Sequence, residues 1–390
     1  MEIILIAVFA SVGAAFLGWL IHRNASQPAP TPLRPDRSGS SSAHRVEQTA
    51  ASVQVTIPAP VPVMVLPPVI TSLQLTRAES LEPARWETVV DTFSHVPRPP
   101  SLLTQLVSLD LLSATSSQDL MAMISGEPLI ASKVLAAVNS PAYGLGRPVA
   151  GLGQAVTFLG LNSVRSICMQ YALMQAFQAD CPARAKRLSA LWLASSVAGE
   201  LCQHPMNRMG LPDPGGMTSA VVLSFLGSLA MTVGLSQAEL ARMPARDSLQ
   251  RILAEQAQWG VAAAEIGRML MTRWELPASI VDEAAHIGQG LVVPYKSSQN
   301  TAALRQAYAH LCVCLAERLA FGELGSLAEF DLAADDSHEL ACARSFLADS
   351  RFVALVAELR SIHLVGRVTQ MTGAAPRVTL TVRQVATAHA

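Results

Sequence analysis

The chain has 390 residues, of which 51% are hydrophobic and only 15% charged. Soluble domains average roughly 25% charged residues, so this chain is unusually apolar and disorder over most of its length is excluded. A formal charge of −1 and an aromatic content of 5% supply neither a basic field for phosphates nor a stacking surface for bases, which argues against nucleic acid as a partner.

The N-terminus predicts a membrane anchor over residues 1–23. Ile3 to Ile21 carries no charge, and a helix of that length spans about 28 Å, close to the roughly 30 Å hydrocarbon core of a bilayer. A cleaved signal peptide needs a basic leading segment, but only Glu2 precedes the apolar run. His22, Arg23, Arg34, Arg37 and Arg45 follow it against a single Asp36. The positive-inside rule then places the body in the cytoplasm, as a single-pass protein of the inner membrane.

Residues 24–85 read as a Pro/Ser/Ala-rich linker. The strings QPAPTP at 27–32, SGSSS at 38–42 and IPAPVP at 57–62 remove helix and ladder hydrogen bonds and add chain freedom. Val61 to Leu66 is too apolar for a pure spacer and is expected to dock on the body or on a partner.

From residue 86 the pattern is helical throughout, and the expected fold class is all-α. Leu102, Leu103, Leu106, Leu109 and Leu112 recur at the spacing of one helix face, after the start signal PRPP at 97–100. Further helices follow at Leu120–Ile124, Ile130–Val138 and Val164–Met174, the last with Asn162 or Ser163 as its expected N-cap. Later ones are expected near 184–203, 217–233, 236–242, 247–257, 260–273, 277–287, 300–322 and 339–360. Val378–Val382 alternates with period two but has no partner strand, so 366–390 is read as a flexible tail.

The cysteines are Cys168, Cys181, Cys202, Cys312, Cys314 and Cys342, with no C-x-x-C spacing. Scattered in apolar helical text they read as reduced, buried thiols of a cytosolic compartment. On a helix, Cys312 and Cys314 point about 200° apart and do not form a redox or metal pair.

One stretch is more specific than any helix pattern. It runs from PRPPSLL at 97–103, through ISGEPLIASKVLAAVNSPAYG at 124–144, to PVAGLGQAVTFLGLNSVRSI at 148–167, with Leu191-Trp192, Ala220–Leu229 and RWELP at 273–277 further on. This resembles the HDOD family, the HD-related output domains of bacterial signalling proteins, over about residues 97–290. The motif residues are Glu127, Pro128, Asn139, Ser140, Pro141, Tyr143, Gly144, Trp192 and Trp274. The local chemistry agrees. Pro128 suits a helix start and Glu127 its dipole; Pro141 stops the helix; Asn139 is suited to clamp the turn backbone. The resemblance implies a multi-helix bundle of the HD-like type over 86–290. Residues 291–365 are expected as a C-terminal helical extension packed on it.

Catalytic relatives of this family hold a divalent metal through helical histidines and an adjacent His-Asp pair, and the metal activates a water. None of the nine histidines here precedes an Asp. In the family's order the ligand positions fall on Ala194, on Ser224-Phe225 and on Ala263, and near His286 the expected second histidine is missing. None of these side chains offers imidazole or carboxylate. No catalytic, cofactor or metal residue is therefore assigned. Other constellations are weaker. The acidic run from Glu329 through Asp331, Asp335, Asp336 and His338 to Glu339 reads as a solvated loop. Glu255 and Glu265, placed on one helix, would lie about 15 Å apart, too far to work as a carboxylate pair. No phosphate loop or nucleophile elbow is present.

The sequence thus points to a membrane-tethered, non-catalytic bacterial signal-transduction scaffold acting through protein–protein contacts. The partner's identity is not written in it. The alternatives are a nucleotide or cyclic-dinucleotide sensor using the vacated pocket and, third, a metal-dependent phosphohydrolase.

Overall fold

The computed structural model describes residues 66–108, 117–140, 147–244, 247–296 and 301–373. The expected anchor, the first part of the linker, Pro141, Tyr143, Gly144 and residues 374–390 lie outside the described residues. Within them every regular element is helical. In chain order they are α1 (Pro68–Ser72), α2 (Pro83–Phe93), α3 (Ser101–Ser108), α4 (Ser117–Ser125), α5 (Pro128–Val138), α6 (Leu152–Leu159) and α7 (Leu161–Met174). Then come α8 (Pro182–Arg208), α9 (Pro214–Ser224), α10 (Leu226–Gly234), α11 (Gln237–Arg242), α12 (Ser248–Trp259), α13 (Ala263–Arg273) and α14 (Ala278–His286). The last are α15 (Thr301–Ala320), α16 (Ala341–Ser345), α17 (Ser350–Leu359) and α18 (Ile362–Gly373), with short 3-10 turns between several of them.

α8 is the axis of the core. Its inner face, from Leu188 through Trp192, Ala194 and Val197 to Leu201, is buried, and α9 and α15 pack along it. The Tyr308 hydroxyl of α15 donates to the Leu201 carbonyl at 2.8 Å. One hydrophobic cluster takes in residues from Val89 to Val368. The described residues from Leu304 to Val368 therefore share the core of the preceding helices. α9 and α10 form the one described stretch, Pro214–Gly234, that is long and apolar enough to cross a membrane, and 89% of that window is buried inside the protein. Burial against neighbouring helices accounts for its composition.

Several boundaries differ from the sequence reading. The end of the linker is folded: α1 buries Ile70 against Leu249 and Leu291, and α2 already begins at Pro83. At the other end, α18 runs through the start of the expected tail, burying Leu364 and Val368 and pairing Arg367 with Glu200 at 2.7 Å. The N-terminus of α7 is set by Gly160, two residues before the earlier of the predicted caps, Asn162. Gly260, expected at the start of the helix 260–273, instead caps α12 in the left-handed region (φ 83°), where a side chain is strained, and α13 begins only at Ala263. The helix expected at 339–360 is divided at Asp349, which caps α17 by accepting from the Arg351 amide.

Candidate functional site

The motif residues around α5 are turn-forming. Pro128 opens the helix with Glu127 in the N-cap position. At the other end the Asn139 side chain donates to the carbonyls of Leu135 and Val149 and accepts from the Val149 amide at 2.7 Å. Asn139 thus ties the end of α5 to the strand of chain entering α6, while the Ser140 amide closes on Ala137. Glu127 and Asn139 sit at opposite ends of α5, about 18 Å apart along its axis, and do not form a site together. Trp192 and Trp274 are buried. Trp192 packs on Phe177, and Trp274 caps α13 with its carbonyl accepting from Arg98 at 2.8 Å. Both are packing residues.

The four positions where the catalytic pattern would place ligands lie on α8, on the α9–α10 junction and at the start of α13. Ala194, Phe225 and Ala263 are 0%, 2% and 8% exposed, and the Ser224 hydroxyl is spent on the Val221 carbonyl at 2.7 Å. Between α10 and α13 there is no gap. Gly227 lies directly on the backbone of Ala263: a Cβ built at 227 overlaps the Ala263 carbonyl oxygen and comes within 3.1 Å of its Cα. One turn on, a Cβ at Gly267 would meet the Gly227 nitrogen at 3.0 Å. Three residues without long side chains bring the two helices into backbone contact where the metal sphere is expected.

The carboxylates nearest to this crossing point elsewhere. Glu255 and Glu265 stand on different helices, α12 and α13, because Gly260 separates them. Glu255 is buried; desolvation raises its carboxyl above the ordinary range, opposed by Arg251 and by the Ala263 amide, which donates to it at 2.8 Å. Glu255 therefore caps the α12–α13 turn. Glu265 lies on the other side of α13, is itself buried, and accepts from the Ala78 amide and from Arg268. Successive residues turn by about 100° on a helix. That places Glu265, Arg268 and Thr272 on the side of α13 opposite Ala263 and Gly267. Next to them opens a groove of about 570 Å³, whose lining includes Trp86, Val90, Glu265, Arg268 and Met269.

The sequence did not reveal a buried ion network joining α12 to α15. The Arg251 guanidinium donates to both Glu317 oxygens at 2.7 and 2.9 Å, with side chains only about one-tenth exposed. Beside it, Arg318 binds Glu339, Asp335 and Ser337, and Glu339 accepts from the amide and hydroxyl of Ser248. The acidic run expected as a solvated loop is thus partly internal. Burial pushes the Glu339 carboxyl up, but Arg318 and Ser248 together hold it below the usual range. The space here is about 10 Å³, room for a single water at most. Charges of both signs alternate through it, so it welds helices and leaves no ligand volume. Among the described residues no group of three or more His, Cys, Asp or Glu side chains is arranged to hold a metal ion.

The HDOD domain family matches residues 96–289. An HDOD domain protein of unknown function from Geobacter sulfurreducens has a similar fold, with a TM-score of 0.52 at 20% identity, covering 73% of this chain and 97% of its own. A Shewanella amazonensis SB2B protein provisionally named a phosphohydrolase aligns with a TM-score of 0.47 at 17% identity, over 73% of this chain and 97% of its own. A Marinobacter aquaeolei VT8 protein provisionally named for signal transduction aligns at 0.46 and 17%, over 77% and 68%. No curated protein matches the chain.

Proposed function

The chain carries an HDOD domain over residues 96–289, and from that premise we propose that it is a non-catalytic regulatory scaffold, tethered to the inner membrane through residues 1–23 and working through protein–protein contacts on the cytoplasmic side. One observation carries the non-catalytic part. The positions that would supply metal ligands hold Ala194, Ser224, Phe225 and Ala263, and the backbones of α10 and α13 meet at Gly227 and Ala263. A metal centre for hydrolysis needs several nitrogen or oxygen donors converging on an open position. Methyl and phenyl groups offer none, and the Ser224 hydroxyl is taken up by the Val221 carbonyl. A sensor that used the vacated pocket finds no volume at that crossing.

The test uses the purified full chain. Elemental analysis and turnover of cyclic dinucleotides with added manganese, iron or magnesium are expected to give no stoichiometric metal and no hydrolysis. One equivalent of metal, or turnover that depends on it, overturns the reading. Proximity labelling with the anchored chain, compared with a chain lacking residues 1–23, then reads which neighbours depend on the tether.

A further inference from the structure

Between α1 and α2 the chain crosses the outer face of α12–α14 as a strap, residues 73–80. Its backbone is extended at Leu73 (ψ 123°) and again at Arg77 (φ −96°, ψ 155°), and then closes into a 3-10 turn at Ala78–Ser80. The strap is recognised mainly through its main chain. The Gln256 side chain donates to the Gln74 carbonyl at 3.1 Å and accepts from the Thr76 amide at 2.7 Å, and Glu265 accepts from the Ala78 amide at 3.3 Å. A side-chain amide that reads a carbonyl and the amide two residues later reproduces the bonding of an added strand, which is a general way to bind extended peptides. Two side chains then set the register. Arg77 donates to His286 at 2.8 Å and Glu79 pairs with Arg268 at 2.8 Å.

The strap is weakly held for a folded segment. Glu79 is 63% exposed, and exposed ion pairs contribute little. Gln74 to Ser80 adds no residue to either hydrophobic cluster. The groove of about 570 Å³ runs beside it, with Ala78 at its edge and Trp86, Val90 and Met269 behind. The strap lines this groove with the Ala78 methyl and the Glu79 side chain and offers it no large apolar group.

We propose that the outer face of α12–α14 is a peptide-binding site, occupied in cis by residues 73–80, whose trans ligand is an extended segment of a partner protein reading basic, large apolar, acidic. The backbone is taken by Gln256 and Glu265, the basic residue by His286, the acid by Arg268, and the apolar residue enters the groove that Ala78 leaves unfilled. The cis segment has an effective concentration on the order of millimolar, so a partner succeeds by filling that groove or by binding when the strap is loosened. The proposal rests on the scaffold reading and gives that reading its contact face.

The test is fluorescence anisotropy on the full chain in detergent, using a labelled peptide of residues 72–81 with the Ala78→Leu change. A chain carrying Arg77→Ala and Glu79→Ala, which removes both register contacts, is expected to bind the peptide at least tenfold more tightly than the unaltered chain. Adding Gln256→Ala to that variant is expected to remove the gain. The same peptide without the Ala78→Leu change is expected to bind at least tenfold more weakly. Hydrogen exchange supplies a second readout: saturating peptide should speed exchange of the Thr76 and Ala78 amides in the unaltered chain. Equal affinity for loosened and unaltered chains, or no binding to either, overturns the site. Metal content and hydrolysis are measured on the same preparations. A failed peptide with no turnover removes only this site, whereas metal-dependent turnover removes the scaffold reading itself.

Discussion

Replacing Gly227 by alanine tests the closed crossing directly, because two effects of opposite sign meet there. Gly227 lies inside α10, where alanine is favoured over glycine by about 1 kcal/mol. If there were space between α10 and α13, Gly227→Ala would therefore stabilise the protein. The structure has no such space, since the added methyl overlaps the Ala263 carbonyl oxygen. Restoring an ordinary contact of about 3.5 Å requires the two helices to part by roughly an ångström or more, in a core with no voids to absorb the shift. Overpacking of this kind costs about 1–3 kcal/mol, and more against backbone than against a flexible side chain. Net of propensity, a loss of about 2 kcal/mol is expected, read as a lower urea midpoint at unchanged slope. Ala263→Gly is expected to cost less, since it removes only a small buried group. A Gly227→Ala protein as stable as the parent, or more stable, would show that the crossing holds room for a ligand and would remove the main support for a non-catalytic domain.

Three further outcomes follow from the buried groups. Glu317→Ala leaves the Arg251 charge buried with only Glu255, at 3.9 Å, to answer it, and is expected to cost about 3–5 kcal/mol in denaturant unfolding; a loss below 1 kcal/mol contradicts the pairing. Burial pushes Asp335 and Glu339 up, but Ser337 and Arg318 for the first, Arg318 and Ser248 for the second, hold both below the usual carboxylate range. Their contribution is present above about pH 4 and lost as pH falls through the lowered values, so Asp335→Asn with Glu339→Gln should flatten the acid limb of a stability–pH curve. Burial pushes the thiols of Cys168 and Cys342 up to about 12 and about 11, so neither should react with a disulfide reagent at pH 8 until urea unfolds the chain.

The parts of the fold legible in the sequence are those written in near neighbours. The apolar spacing of Leu102, Leu103 and Leu106 marks α3, and all three are buried. Pro128 opens α5, and Asn139 clamps its end through Val149, ten residues on. What makes the break between the helices expected at 247–257 and 260–273 was harder to read: Gly260, at a positive φ, closes the first of them, and the second begins only at Ala263. The strap was invisible for another reason. The Thr76–Gln256 bond joins residues 180 apart, and a tether of Leu, Gln, Thr and Arg carries no signal of what it will touch. The Arg251–Glu317 pair is equally distant from local pattern. Of that network only Arg251 and Glu255, four apart on one helix, left a trace, and the reading of Glu255 as a helical neighbour of Glu265 obscured it.

The two faces of α13 bring these observations together. On the inner face Ala263 and Gly267 carry nothing larger than a methyl, and the helix packs on α10 with backbone against backbone. On the outer face Glu265, Arg268, Met269 and Thr272 keep long or polar side chains beside a groove. Close packing of small residues makes a helix hard to shift, and a surface that recognises main chain at fixed spacing requires such a helix, since Gln256 on α12 and Glu265 on α13 must hold their separation to read residues 74, 76 and 78 together. On the proposed reading the closed interior and the contact face belong together: the small residues that let α10 and α13 meet also hold fixed the platform on which a peptide would be read.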